Sequence, residues 1–561
     1  MSQIISIRLI LSLVFIPCVL ISADEKTDKV DKLFSQWDTD KTPGAVIAIV
    51  RDGKVLYEKG YGMANLELNI PLTPEAVLRT GSVSKQFTAA CVAKLVLQKK
   101  IDLDDAIIKY FPELPKAVYG DVLVRHLVHH TSGVRDYLRL AYLAGFSDFA
   151  YYTAEEALGK LVKQKSLNFK PGDEFLYSNS GYMLMALLVE RVSGKTLNEF
   201  AREHFFDPIG MKSTQFYEDH TRIVRNRADG YAPTPTGYRI DMTTLDIVGD
   251  GGVLTTVRDM VLWMEALQGR GPLDDELLEM MTTTEPLNNG EENDYAFGLG
   301  VMTYRGKKMI SHGGAFVGFR ANVLIYPEER FSVVCLANLA TFRPTDLCDK
   351  IADIYVFADE QDPEIVEKEK TASKKEISIA LSEEHLSALT GSYIHEESQS
   401  IFKLWVDNKV LRAKRYPGAT FTFEPLSKTS FISVSGIPGA ELQFAHDETT
   451  KKRTFTVYYR GEKQNSFVEF EPFEPDSKFI AVTTGSYFSE ELDVSYTVGE
   501  ENGSLYFTIA DDPYKVKLSP TLKNTFSSGY GRIQFVDDSS GKITGFTIDA
   551  GRVKGIVFVK Q

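Results

Sequence analysis

The chain has 561 residues, with 63 Lys and Arg against 77 Asp and Glu and a net charge of −14. That acidic balance excludes a nucleic-acid partner, which would require a basic surface, and gives no reason to expect a membrane-surface role. An apolar content of 43% is ordinary for a soluble globular protein, and the length calls for several domains.

In chain order, residues 1–23 read as a cleaved signal peptide. Arg8 is the only charged side chain before Asp24, Leu9 to Ile21 is an apolar run interrupted by Pro17, and Ile21-Ser22-Ala23 offers a small-residue cleavage site. The run is shorter than the about 20 apolar residues of a transmembrane helix, so no stable membrane anchor is expected. Phe15-Ile16-Pro17 before Cys18 is a poor match to a lipid-attachment site. The expectation is a secreted or periplasmic protein. Cys91, Cys335 and Cys348 remain after cleavage; an odd, sparse count is no disulfide framework. Cys91 and Cys335 sit in apolar runs and are expected as small buried hydrophobes.

Residues 25–358 form the first module. Gly44 to Val50 and Lys54 to Tyr57 flank Asp52-Gly53, a hairpin pattern. Helical runs follow after Ser82, at Ala154 to Val162 and at Gly181 to Val192. Strands return at Val323 to Tyr326 and Phe331 to Ala337, and a helix over Thr345 to Phe357 closes the module. Strands at both ends with helices between them predict an α+β domain, one antiparallel sheet with helices packed on it. Residues 359–384 are charged and read as a linker.

Beyond the linker the composition changes to short β-like runs, and the chain is duplicated. Leu389-Thr390-Gly391-Ser392-Tyr393 returns as Thr483-Thr484-Gly485-Ser486-Tyr487, and Phe431 and Phe444 have counterparts in Phe526 and Phe535. Each copy, 385–478 and 479–561, is long enough for about eight short strands, which predicts two small antiparallel β-barrels in tandem.

Ser82 lies three residues ahead of Lys85, at the mouth of the apolar helical run that continues through Val92, Leu95 and Leu97. Residues three apart share a helix face. The N–H groups of the first turn lack intrahelical partners, so they can serve as oxyanion donors. Spacing alone says little: Ser539-Ser540-Gly541-Lys542 has it too and reads as a turn. The second motif, Tyr177-Ser178-Asn179, sits in a Pro-Gly-punctuated loop before a helix. A tyrosine beside a lysine can act as a proton acceptor, and Asn179 can donate to and accept from a substrate amide. The third is His312-Gly313-Gly314-Ala315, whose glycines let a substrate lie against the backbone.

Together, in this order, the three motifs resemble those of the penicillin-recognising serine hydrolases, a superfamily that holds class C β-lactamases, D,D-carboxypeptidases, D-aminopeptidases and esterases. His129-His130-Thr131-Ser132-Gly133, Phe206-Asp207-Pro208-Ile209-Gly210-Met211, Gly251-Gly252-Val253-Leu254-Thr255-Thr256 and Phe297-Gly298-Leu299-Gly300 look like further landmarks, so the resemblance spans most of residues 41–340. It implies Ser82 as the nucleophile of an acyl-enzyme, with Lys85 and Tyr177 handling its proton. It also implies Asn179, His312 and Gly314 against the substrate, and the backbone N–H groups of Ser82 and Ala315 as the oxyanion hole. Which of Lys85 and Tyr177 takes the serine proton stays open.

The chain departs from the classical Lys-Thr-Gly third motif, where a cation helps hold a substrate carboxylate. His312 is mostly neutral at pH 7 unless a neighbour intervenes. The His-Gly-Gly variant and the tandem barrels are similar to the D-aminopeptidase and esterase branches and imply a small-molecule or short-peptide substrate. A β-lactamase, a D,D-carboxypeptidase and a non-turnover penicillin-binding sensor are the alternatives. Among candidate barrel loops, Ala510-Asp511-Asp512-Pro513 carries negative charge that could meet a substrate ammonium. No cofactor is expected. His126, His129 and His130 lack a metal-binding spacing and read as shaping the Thr131-Ser132-Gly133 loop.

Overall fold

The computed structural model describes residues 23–146, 150–358, 379, 381–395, 400–416, 420–435, 440–448, 450–459 and 462–561. The expected signal peptide, apart from its last residue, and most of the expected linker lie outside the described residues. No helix among the described residues is long and apolar enough to cross a membrane.

The organising element is a six-stranded antiparallel sheet. Its strands are β1 (Ala45–Arg51), β2 (Lys54–Tyr61), β3 (Gly300–Tyr304), β4 (Lys307–Phe316), β5 (Phe319–Tyr326) and β6 (Phe331–Ala337), in the order β3-β4-β5-β6-β1-β2. The pairing of Ala45 with Ala337 joins the two ends of the domain, so the sheet closes only when residues almost three hundred apart meet. Alternation sorts its side chains to two faces. Val46, Ala48, Val50, Val334 and Leu336 face one core. Ala45, Ile47, Ile49, Val333 and Cys335 face the other. Both faces are covered, which is why every residue of Phe331–Ala337 is buried rather than every second one.

The second face packs on the terminal helices α1 (Ala23–Phe34) and α5 (Pro344–Tyr355), through Val30, Phe34, Leu347 and Ile351. The first face packs on the interior helices α2 (Lys85–Leu97), α3 (Asn179–Ser193) and α4 (Val257–Leu267). Helix α2 is buried on nearly every side, Lys85, Gln86 and Thr88 included, and Cys91 is buried there as expected. Helix α3 begins at Asn179, two residues before the expected Gly181. His312-Gly313-Gly314 stands inside β4, ahead of the closing strands β5 and β6.

Both halves of the C-terminal region are antiparallel barrels. Strands from Gly391–Ile394 to Glu462–Phe470 close an eight-stranded barrel around Tyr393, Phe402, Phe423, Phe431, Phe444 and Phe455. The second copy has nine strands rather than eight. Its first, Gly485–Ser489, pairs with its last, Ile556–Lys560, and its two edge strands, Val516–Lys517 and Ser519–Pro520, are adjacent in the chain, leaving the barrel nearly closed. The duplication has a structural signature. Tyr393 and Tyr487 are both fully buried, and each donates its hydroxyl to the carbonyl four residues earlier, at 2.9 Å to Leu389 and 2.5 Å to Thr483.

The second barrel shares one continuous core with the first module, which includes Tyr487, Tyr496, Phe507 and Phe558. The Tyr496 hydroxyl donates to the carbonyl of Leu143 at 2.7 Å, and the rings of Tyr142 and Tyr530 stack at 4.3 Å. At the centre of the seam Arg135 meets Glu491 at 2.6 Å, with side chains 1% and 5% exposed. The same guanidinium donates to the carbonyl of Lys554 at 2.7 Å. The first barrel has a core of its own.

Candidate active site

Ser82 occupies a short 3-10 turn, Gly81–Ser84, that feeds into α2. This tight start is held from several sides. The amide nitrogen of Val253 donates to Ser84 Oγ at 3.0 Å, Thr88 Oγ1 donates to the carbonyl of Gly249 at 2.8 Å, and Trp263 Nε1 donates to Gln86 Oε1 at 2.6 Å. Two glycines bring the turn against β4. Gly81 has φ of +53°, and a Cβ on it would lie 2.8 Å from the amide nitrogen of Ala315. A Cβ on Gly314 would lie 1.9 Å from the carbonyl oxygen of Thr80 and 3.3 Å from the amide nitrogen of Ser82. Only glycine permits this approach, which sets the amides of Ser82 and Ala315 side by side. Strand β3 pairs with β4 only as far as Ser311, so His312 to Phe316 presents a free edge to the cleft.

Lys85 Nζ lies 3.2 Å from Ser82 Oγ, 2.9 Å from Asn179 Oδ1 and 2.6 Å from the carbonyl oxygen of Asp250. The two carbonyl-type acceptors fix two of the tetrahedral directions of the nitrogen and aim the third at the serine hydroxyl. The Lys85 nitrogen also sits 4.7 Å from the centre of the Tyr177 ring. The Tyr177 hydroxyl is buried without a hydrogen-bond partner. An orphaned hydroxyl beside a Ser–Lys pair is unsatisfied in the resting protein and free to bond a substrate or exchange a proton with it.

The structure thus gathers Ser82, Lys85, Tyr177, Asn179, His312, Gly314 and Ala315 around one cleft of about 620 Å³. His312 accepts from the Tyr295 hydroxyl at Nε2, 2.9 Å away, and its Nδ1 lies 2.6 Å from the carbonyl of Gly313. Burial, reinforced by the Lys85 cation, pushes its pKa down to about 4. His312 is therefore a neutral imidazole at pH 7, and the third motif holds no charge.

Four residues that the motifs do not mark complete the site. His130 has φ of +58°, and its Nδ1 accepts the amide of Ser178 at 3.1 Å. Its ring lies 4.1 Å from that of Tyr177, and burial holds its pKa well below the usual histidine range. It supports the Tyr177 loop, beyond the shaping of residues 131–133 expected of it. Asp136 accepts the amide of Asn179 at 2.8 Å and fixes the start of α3. Asp250 lines the cleft and is 7% exposed; its Oδ2 accepts from the Tyr137 hydroxyl at 3.1 Å, and its Oδ1 is buried without a partner. Burial raises its pKa to about 6 against the opposing pull of Lys85.

The fourth is Arg552, whose guanidinium lies 4.6 Å from the Tyr177 ring. It is the one residue of the second barrel among the described cleft residues, so the expected Asp511 and Asp512 are not what the barrel brings to the site. Asp512 is instead exposed at a turn, where its Oδ1 accepts the amide of Tyr514 at 2.9 Å. The glycines that flank Asp250, Gly249, Gly251 and Gly252, are the local signal that could have marked its segment; nothing local marks Arg552. Ser539 to Lys542 is an exposed turn, as expected.

A two-faced antiparallel sheet with a serine and a lysine one helical turn apart, facing a glycine-rich strand edge, defines an active-site serine hydrolase. The model of the Beta-lactamase family matches residues 30–354, and the chain belongs to that family. A D-aminopeptidase of Brucella anthropi is 24% identical over 534 residues, covering 92% of this chain and 95% of that protein. Among solved structures, an octameric penicillin-binding protein homologue from Pyrococcus abyssi matches at a TM-score of 0.55 and 24% identity, over 80% of this chain and all of that one. A D-amino acid amidase from Ochrobactrum anthropi matches at 0.51 and 23%, over 60% of this chain and 99% of that one.

Proposed function

We propose that this hydrolase is an aminopeptidase that removes an N-terminal residue, of D configuration, from small peptides and amides through an acyl-enzyme on Ser82. The observation that carries this reading is Asp250. A buried carboxylate with one unpartnered oxygen, on a residue that lines the cleft beside the Ser82–Lys85 pair, is the partner that a substrate α-ammonium requires. The D-aminopeptidase that aligns along nearly the whole chain supports the substrate class and its stereochemistry.

In this reading Lys85, in its neutral form, takes the proton of Ser82, whose Oγ lies 3.2 Å from its nitrogen. The amides of Ser82 and Ala315 hold the oxyanion, and Asn179 steadies the acyl chain. Tyr177 delivers a proton to the departing amine and regains one from the Lys85 ammonium beside its ring. Export is part of the proposal and rests on Arg8 and the apolar run to Ile21.

A β-lactamase or D,D-carboxypeptidase reading is weaker. It requires a cation on β4, where His312 is neutral, and gives Asp250 nothing to bind. The test compares D-alanyl p-nitroanilide, its L isomer, its N-acetylated form, a p-nitrophenyl ester and nitrocefin. D-Alanyl p-nitroanilide should be the best substrate, with turnover lost in Ser82→Ala. Equal or better turnover of the N-acetylated compound would overturn the reading.

A further inference from the structure

The cleft of this acidic protein is lined by four arginines, Arg79, Arg320, Arg343 and Arg552, against the carboxylates of Asp250 and Asp346. Three of the four have a polar partner within 3.5 Å. Arg79 is buried, with Nη2 3.4 Å from the carbonyl of Leu245 and its guanidinium over the Phe316 ring. Arg320 donates to the carbonyls of Val317 and Phe319 at 2.8 and 2.6 Å. Arg343 is paired with Asp346 at 2.6 Å.

Arg552 is different. Its guanidinium makes no hydrogen bond among the described residues. Its contacts are the Tyr177 ring at 4.6 Å and Asp136 Oδ2 at 3.7 Å. Asp136 already accepts the amides of Asn179 and Arg139.

The backbone around Arg552, in contrast, is fixed. Its carbonyl accepts from Asn168 Nδ2 at 2.9 Å and from the amide of Asp136 at 3.3 Å. The amide of Lys554 donates to Asn168 Oδ1 at 2.8 Å, and the Lys554 carbonyl accepts from Arg135 at 2.7 Å. A turn clamped on both sides, carrying a guanidinium with unused donors into a cleft, is the construction of an anion-recognition arm.

Its place relative to the scissile bond follows from Tyr177. Lys85 lies 4.7 Å from the Tyr177 ring and touches the Asp250 carbonyl, while Arg552 lies 4.6 Å from the same ring. Asp250, which would take the substrate ammonium, and Arg552 both line the cleft that holds Tyr177. We infer that Arg552 binds the free carboxylate of the departing residue, so that the cleft is built for short peptides with both ends free, a zwitterionic D-dipeptide above all. The arginine supplied by the second barrel stands in for the cation that His312-Gly313-Gly314 lacks. Two residues of extended chain span about 7 Å, a length that sets the two charges of such a substrate on opposite sides of the reacting carbonyl. This inference rests on the aminopeptidase reading.

The test measures kcat/KM for D-alanyl-D-alanine, its C-terminal amide and D-alaninamide, in wild type, Arg552→Gln and Arg552→Lys. Because the acid-to-amide ratio is internal to each variant, a general loss of folded protein leaves it unmoved. Wild type should prefer the free dipeptide over its amide by about ten- to a hundredfold, the range of a charge-assisted contact. Arg552→Gln should bring the ratio near one, and Arg552→Lys should keep part of it. Equal use of acid and amide by wild type, or an unchanged ratio in Arg552→Gln, overturns the carboxylate site alone. Absence of turnover of all three compounds by wild type removes the aminopeptidase reading and this site with it.

Discussion

Asp250 is the residue on which the substrate preference turns, and its pH behaviour has a definite sign. Burial lifts its pKa from the ordinary 3.8 to about 6. Between those values the folded protein holds a proton that the unfolded chain releases. The group therefore costs stability as pH rises through that window, and the full cost persists above about 6. Asp250→Asn removes the cost: the variant should melt higher than wild type at pH 7 to 8, with the gap closing towards pH 4. The same substitution removes the partner of the α-ammonium, so kcat/KM for aminoacyl substrates should fall about ten- to a hundredfold. In wild type that kcat/KM should decline as pH drops below about 6, while N-acylated esters keep a flatter profile. Thermal melts and pH–rate profiles on the two proteins check both halves. A variant less stable at pH 8 with unchanged aminoacyl kinetics would remove Asp250 from the site.

At the scale of elements, the seam between α3, the 130–137 segment and the second barrel decides whether the site is complete. Arg135 binds Glu491 and Lys554 from the barrel, its neighbour Asp136 sets the first residue of α3, and Arg552 reaches Tyr177 across the same seam. Removing one member of a buried ion pair leaves a buried charge without a partner and costs about 3–5 kcal/mol. Because the catalytic domain and second barrel share one core and the first barrel has its own, calorimetry should show two transitions. Glu491→Gln should lower only the one that includes the catalytic domain. A lowered first-barrel transition, or no change in either, would contradict this division.

Much of this level was legible in the chain. The Asp52-Gly53 hairpin, the closing strands Phe331–Ala337 and the repeated Gly-Ser-Tyr of the barrels are local patterns, and local physics fixes them. The ninth strand of the second barrel was not, because pieces as short as Val516–Lys517 carry no periodicity. The start of α3 at Asn179 comes from the carboxylate of Asp136, a partner 43 positions away.

For the whole molecule the same division holds. Ser82, Lys85, Tyr177, Asn179 and the His312-Gly313-Gly314 strand announce themselves because each motif is a few consecutive residues with one backbone geometry. The groups that set specificity do not. Asp250 owes its raised pKa to burial, with Asp136 adding to it while Lys85 and Tyr137 oppose it, and Arg552 is an ordinary turn residue until the barrel docks. The acidic loop at Asp511 and Asp512 looked suited to a cleft on charge alone, whereas the docked barrel presents its 551–555 turn there.

The account stands or falls on covalent chemistry at Ser82. The direct measurement is rapid-quench peptide mapping of the enzyme during turnover of a D-alanyl ester. One aminoacyl group should accumulate on the peptide carrying Ser82, disappear on the timescale of product release, and be absent in Ser82→Ala. Turnover without such an adduct, or an adduct on another residue, would contradict it.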